Sequence, residues 1–414
     1  MDAGDYTGDA TVPGRMQTDA LVEAMNGLGY QVANLSQREL LHGYDAFLQW
    51  KKKSRFELIS ANLVWQDTGE PLVAPTTVRK VALRDGAKAR EVRIGFIGLT
   101  RNNPAFQKEG PGGRRIVTVD PFAAAEKLVP ALKAKSDIIV ALSSLDVNEA
   151  RLLPKRAKEI DLVLGGNGAM QTRTDDFPED SKIGKASILY VGDQGKFMGE
   201  VRLVVDARKA LASTQRALIG LTRDWPEDET LAKLMETTKL AINDYNKAQT
   251  EAASPFAAPP AAGPAAAPPP GHAAAPAGTP GGAAAGGGYT GSARCGTCHA
   301  TEYDVWSRSG HARAWQALVK AHQDYNPTCV GCHSVGFGKP QGFVSASATP
   351  LLIDVGCESC HGPSGGHPEA VGNGYGATDT RFCITCHTAE NSPDFVPALY
   401  VPKIRHWGQA KGGH

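Results

Sequence analysis

The 414-residue chain is poor in cysteine and histidine over most of its length. Residues 1–251 hold no cysteine and one histidine, His42. That excludes a disulfide framework or a thiolate metal centre from this region. It also argues against a two-metal hydrolytic centre, which needs clustered histidine and carboxylate ligands to hold both ions and activate a water. An oxygen-only Mg²⁺ or Ca²⁺ site needs no histidine, but no motif marks one. Charge of one sign is lacking too: the formal net charge is +1, without the footprint of a nucleic-acid binder or an acidic tail. No apolar run is long enough to cross a bilayer. The opening MDAGDYTGDA is acidic and polar, without the basic and apolar regions of a secretory signal.

What is present is concentrated at the other end. All eight cysteines lie at or after residue 295, and nine of the eleven histidines at or after 299. Every cysteine falls in one of four segments: CGTCH (295–299), CVGCH (329–333), CESCH (357–361) and CITCH (383–387). CxxCH is the attachment sequence for c-type haem. Cys295 and Cys298, Cys329 and Cys332, Cys357 and Cys360, and Cys383 and Cys386 would each form two thioethers. His299, His333, His361 and His387 would be the proximal iron ligands. Structural zinc on paired CxxC knuckles uses the thiolates but gives no reason for a histidine after every pair. Disulfides leave the same histidines unexplained. Four haem c groups in about 125 residues leave little chain for an ordinary apolar core. The macrocycles are therefore expected to form the core, wrapped by short helices and loops.

Bis-histidine ligation needs distal histidines from elsewhere. His311 lies in SGHARAWQAL between Trp306 and Trp315. His406 follows the apolar stretch of VPKIRHWGQ. His367 ends VGCESCHGPSGGH, six residues after His361. It would have to circle the porphyrin to reach the far face of its neighbour's iron, so it is expected to serve a different haem. His322, among polar residues, stands between ligand and surface histidine, and His414 is expected to fray.

The rest of the chain reads as a multidomain arrangement. Residues 1–208 alternate helical and strand-like segments, which favours a largely parallel, buried sheet. TDALVEAMNGLGY and PFAAAEKLVPALKAK read as helices. QVANLS, ELISANLVW, VRIGFIGLT, DIIVALSSL and IDLVLGGN read as strands, and SILYVGDQGKFMGEVRLVVD as a closing hairpin. Residues 209–251 are expected to form a helical connector. The Ala/Pro/Gly tract 252–288 cannot bury a core and reads as a disordered linker, with His272 solvated. Residues 289–414 form the haem domain.

Two resemblances follow from these motifs. SGHARAW, NPTCVGCHSVGFGKPQGF, VGCESCHGPSGGH, FCITCH and KIRH, over about residues 290–407, resemble tetrahaem cytochromes c of the cytochrome c-554 type. The resemblance implies a mainly helical, haem-packed fold and an electron-carrier role. By motif position it implies His311, His367 and His406 as distal ligands. In that family one haem can stay five-coordinate, unless His322 supplies the fourth ligand here. The N-terminal region is similar to the metallophosphoesterase domain of 5′-nucleotidases, an α/β sandwich. DAGDYTG matches the family's Gly-Asp metal motif, with Asp5 the retained ligand. Gln37, Ser144, Asn167 and Ala169 fall on the family's metal-binding Asn and His positions, and Arg38 on its catalytic histidine. Hydrolysis is therefore expected to be lost. The family has a further strand and an Asp-x-His motif ahead of this Gly-Asp, so upstream residues with an export signal are expected.

The expected protein is an exported, periplasmic or cell-surface tetrahaem cytochrome c that carries electrons between redox partner proteins. Contact between haems of different subunits is compatible with it. An oxidoreductase acting on a small nitrogen or oxygen compound at a five-coordinate haem is the alternative. A metal-dependent nucleotidase bearing a haem domain is a further one.

Overall fold

A computed structural model describes residues 1–85, 88–166, 182–191, 195, 197–222, 224–252, 288–367, 380–388 and 391–406. It divides into two compact units, Met1–Thr238 and Lys239–His414.

The first unit begins with the helix Val12–Gly27. The Thr11 hydroxyl accepts from the Gly14 N–H at 3.0 Å, and Pro13 occupies the first turn, where its missing N–H costs nothing. The apolar runs that follow become strands because both their faces are covered. Ile138–Ser143 is buried at every position. It lies inside a six-stranded sheet ordered Lys182–Ile183, Ala186–Tyr190, Leu162–Gly165, Ile138–Ser143, Lys88–Leu99, Thr76–Asp85. The four inner strands run parallel, and the two edge strands pair antiparallel. Helix Pro121–Lys133, capped by Asp120, packs Ala125, Val129 and Leu132 against Ile97, Leu99 and Ile139. Each of the buried Val, Leu and Ile side chains contributes roughly 1.5–3 kcal/mol. ELISANLVW is not one strand but two. Glu57–Ile59 pairs parallel with Val32–Asn34, whereas Leu63–Trp65 joins an antiparallel sheet with Arg115–Thr118 and Gln107–Glu109.

Two expectations for the region after residue 185 are corrected. The expected hairpin does not form: Ala186–Tyr190 adds parallel to Leu162–Gly165 and is buried throughout. Phe197–Val205 pairs instead with Leu211–Gly220, inside the stretch expected to be a helical connector. The Ala- and Leu-containing composition of 211–220 reads as helical. An available partner strand and a favourable turn override that weak preference. The turn is built on Asp206, whose carboxylate accepts from the N–H groups of Arg208 and Ala210 at 2.8 and 2.9 Å. The remainder of the connector is the helix Glu229–Ala252, entered through Asp228, which accepts from Thr230 and Leu231.

The second unit is made of short helices and loops. Its described helical turns are Ser292–Cys295, Ala300–Arg308, His311–Arg313, Ala314–Lys320, Pro327–His333, Pro350–Leu352, Cys357–His361, Thr380–Thr385, Pro397–Tyr400 and Val401–Ile404. Among its described residues there is no strand, only a single bridge between Ser334 and Ile353. Its apolar cluster is small: Trp315, Leu318, Val330, Val335, Phe343 and Leu352. Asn243, late in the long helix, donates to Asp324 at 2.9 Å and accepts from the Tyr325 N–H at 3.0 Å, fixing the loop ahead of the second motif.

Candidate haem-binding site

Each CxxCH segment sits on about one helical turn. In the first and fourth motifs the histidine N–H returns to the carbonyl of the first cysteine, His299 to Cys295 at 2.9 Å and His387 to Cys383 at 2.8 Å. That closure puts residues i, i+3 and i+4 on one face, so both sulfurs and the imidazole face the same way. The second motif lies in Pro327–His333, where Asn326 accepts from the Thr328 N–H and Pro327 opens the helix. The third occupies Cys357–His361, stopped by Gly362 at φ 86°.

The imidazoles are arranged in cross-motif pairs. His299 and His367 have ring centroids 6.2 Å apart and planes inclined by 26°. His361 and His406 are 5.9 Å apart, His311 and His387 6.0 Å. With metal–nitrogen distances of about 2.0–2.1 Å and roughly 1 Å from nitrogen to ring centre, two imidazoles on opposite sides of one metal stand about 6 Å apart. The three separations fit that value. His367 thus faces the histidine of the first motif, not its neighbour His361. His333 is in none of the three pairs, nor is His322, which has φ 53°. His414 lies outside the described residues.

Hydrogen bonds at the other ring nitrogen orient several of these histidines. His333 Nδ1 is 2.7 Å from the Ala314 carbonyl, His387 Nδ1 2.9 Å from Ser392 Oγ, and His406 Nδ1 2.9 Å from the Ile404 carbonyl. Such a bond leaves Nε2 to act as a ligand. Phe395 stacks on His387 at 4.3 Å. Phe382 and Ile384, at the fourth motif, are exposed apolar side chains.

The sulfurs show which motifs are neighbours. Cys295 is in hydrogen-bond contact with Cys357, which holds the Cys357 thiol down at about 6 and pushes Cys295 up. Cys332 lies beside Cys386; burial, then Cys386, pushes its thiol up to about 11. Burial likewise raises Cys360 to about 11, with Cys383 and Cys386 as its charged neighbours. The first motif therefore adjoins the third, the second the fourth, and the third the fourth.

Glu358, between the cysteines of the third motif, was not singled out from sequence. It is buried and accepts from the N–H groups of Thr290, Gly291 and Ser364. It thereby ties the segment leading into the first motif to the loop carrying His367. Ser292 Oγ adds to this by accepting from the Cys357 N–H at 3.0 Å. The available signal was a carboxylate inside a CxxCH, where no ligand role explains it.

In the first unit, the residues at the phosphoesterase positions form a hydrogen-bonded polar cluster. Asp5, at φ 65°, bonds with the Ser36 hydroxyl, whose oxygen also lies 2.7 Å from the Glu39 carboxyl. Glu39 accepts further from the Tyr6 and Ser36 N–H groups at 2.9 and 2.8 Å. Burial, followed by the charge of Asp5, pushes Glu39 up to about 7, and burial pushes Asp2 up to about 6. Asp5 is raised by burial against the opposing pull of Ser36, Arg38 and Arg101. Arg38 donates to the Thr7 carbonyl at 2.7 Å, Gln37 to the Arg101 carbonyl at 2.6 Å, and Ser144 to Thr100 at 3.0 Å. Among the described residues no group of three or more His, Cys, Asp or Glu side chains is placed to hold a metal ion. Asn167 and Ala169 lie outside the described residues. His42 packs edge-on against Trp50 at 5.4 Å.

Residues 294–362 match the family described as cytochrome c554 and c-prime. Cytochrome c-554 of Nitrosomonas europaea is 38% identical over 90 residues, 18% of this chain and 38% of that protein. A 2′,3′-cyclic-nucleotide 2′-phosphodiesterase/3′-nucleotidase of Haemophilus influenzae is 26% identical over 129 residues, 31% of this chain and 20% of the relative. Human 5′-nucleotidase is 22% identical over 237 residues, 54% of this chain and 40% of its own length. The chain thus spans less than half the length of these curated relatives. Among solved structures, the calcineurin-like phosphoesterase YfkN of Bacillus subtilis superposes with a TM-score of 0.49 at 19% identity, over 59% of this chain and 83% of that one. The chain joins a C-terminal segment similar to cytochrome c-554 to an N-terminal region similar to 5′-nucleotidases and calcineurin-like phosphoesterases.

Proposed function

We propose that this chain is an exported tetrahaem cytochrome c that carries electrons between redox proteins, with a phosphoesterase-like domain that no longer hydrolyses. The cytochrome c-554 match supports a haem c electron-transfer role. The observation that carries the finer reading is the set of three histidine pairs at about 6 Å, each joining a motif histidine to one from elsewhere. In this reading the eight cysteines anchor four groups. His299, His333, His361 and His387 are proximal ligands, and His367, His406 and His311 close three distal positions. Bound haem c supplies a one-electron iron couple whose potential depends on axial ligation, hydrogen bonding and burial. The chain's contribution is to fix those ligands and to set the motifs side by side in the order first, third, fourth, second. Domains at 1–208, 209–251, 252–288 and 289–414 belong to the same proposal, adjusted for the strand at 211–220.

Mass spectrometry of the purified protein should show four covalently bound haems, and EPR three low-spin bis-histidine signals. Fewer than four haems, or no bis-histidine signal, overturns the reading.

One observation favours a second reading, in which one iron stays open and binds a small nitrogen or oxygen compound. His333 faces no second histidine ring among the described residues, and its Nδ1 is held by Ala314. A high-spin EPR signal that is lost on adding azide supports this reading, and a spectrum without high-spin iron removes it.

A further inference from the structure

One helical turn touches the histidines of two different motifs. The His311 ring stands 6.0 Å from that of His387, in the fourth motif. Three residues further on, the Ala314 carbonyl lies 2.7 Å from Nδ1 of His333, in the second. A shift of this turn would move both contacts together.

The turn is held from outside by residues 354 and 355. The Trp315 N–H, at the second position of its helix and without an intrahelical acceptor, donates to Asp354 Oδ1 at 2.8 Å. The Val355 N–H donates to the His311 carbonyl at 3.1 Å, and Trp306 Nε1 to the Val355 carbonyl at 2.9 Å. Asp354 has φ 70°, a left-handed backbone that is strained for a non-glycine residue. Its carboxylate lies within electrostatic reach of the His333 ring. Its neighbour Ile353 bridges to Ser334, next to His333 in sequence. A strained acidic residue therefore caps one helix while lying beside the histidine that this helix orients.

We infer that Asp354 is a positioning residue that sets His311 and His333 at once, so that ligation in the second and fourth motifs is geometrically linked. This rests on the reading above, in which both histidines are iron ligands. It goes further by naming a residue outside every motif that controls two of them. Asp354 touches no reacting atom and acts through Trp315, Ala314 and His311.

The test uses the full chain with haem attached, as D354G and D354N variants. Glycine accepts the positive φ without strain, so D354G removes the carboxylate while favouring the backbone shape. D354N keeps an oxygen to accept from the Trp315 N–H. In D354G, the low-spin EPR signal of the His311–His387 iron should shift, and so should the signal of the iron on His333, with its azide affinity, where that iron is open, changing by about tenfold. The other two low-spin signals should stay in place, and D354N should restore both changes. Unchanged spectra and azide affinity in D354G overturn the inference, as does a change confined to one of the two irons or spread equally over all four. A wild-type spectrum without bis-histidine signals would instead overturn the ligand reading, before any variant is compared.

Discussion

At the scale of single residues, His367 and Glu39 give opposite answers to the question of what a polar side chain is for. His367 follows the third motif, yet its ring faces His299 of the first. A short Gly- and Pro-containing loop, tied down by Glu358 through Ser364, thereby carries a histidine of the third motif's segment to the first motif. H367A should keep all four haems attached, because no thioether is touched, and convert one low-spin EPR signal to high spin. An unchanged spectrum would return His367 to an ordinary loop residue. Glu39 has a structural role instead. Burial holds its folded pKa at about 7 against 4.5 for the ordinary carboxyl. The folded state therefore binds the proton more tightly than the unfolded chain. The stabilisation is fully present below about pH 4.5 and is lost as pH rises through 7, on the order of 3 kcal/mol for a shift of this size. In chelator, resistance of residues 32–65 to urea, read by pulsed hydrogen exchange, should fall between pH 5 and pH 8. E39Q should flatten that dependence, and an equal slope in the variant would place the titrating group elsewhere.

At the scale of elements, the paired strands Phe197–Val205 and Leu211–Gly220 are the clearest case of structure that local sequence does not announce. Their turn depends on one carboxylate accepting two backbone N–H groups and on Lys209 at φ 65°. D206A leaves both N–H groups to water and should destabilise the ribbon by about 1–2 kcal/mol. Faster amide exchange confined to 197–220 would report it. Sheet strands such as DIIVALSSL were legible because burial on both faces demands an unbroken apolar run. The CxxCH turns were legible because thioether and iron chemistry fixes their spacing. Pairing partners are a different matter. Whether SILY meets the strand after it or the strand at 162–165 depends on contacts distant in sequence, as does which of the other three motifs His367 faces. Glu358 and Asp354 were missed for the same reason: a carboxylate that binds backbone N–H groups has no motif of its own.

At the scale of the whole molecule, the chemistry is segregated. One unit carries every cysteine and all but one of the histidines, and the other, similar in sequence to 5′-nucleotidases, has few of the side chains a two-metal centre uses. Two-metal hydrolysis depends on ligands that hold both ions, lower the pKa of a water and clamp the leaving oxygen. Here the Ser36 hydroxyl is bonded to Asp5 and also lies against the Glu39 carboxyl, and Arg38 and Arg101 bring positive charge to the same place. A divalent cation would meet two guanidinium groups and a carboxylate already committed to a hydroxyl. The full-length protein, supplied with Mn²⁺, Mg²⁺, Zn²⁺ or Ca²⁺, should therefore hydrolyse bis-p-nitrophenyl phosphate and 5′-AMP no faster than buffer containing the same ion. Metal-dependent turnover that disappears in D5N would show that the cluster still binds an ion and would restore the nucleotidase reading. Turnover that survives D5N would point to a contaminating hydrolase, because Asp5 is the one metal ligand that the resemblance to 5′-nucleotidases implies is retained.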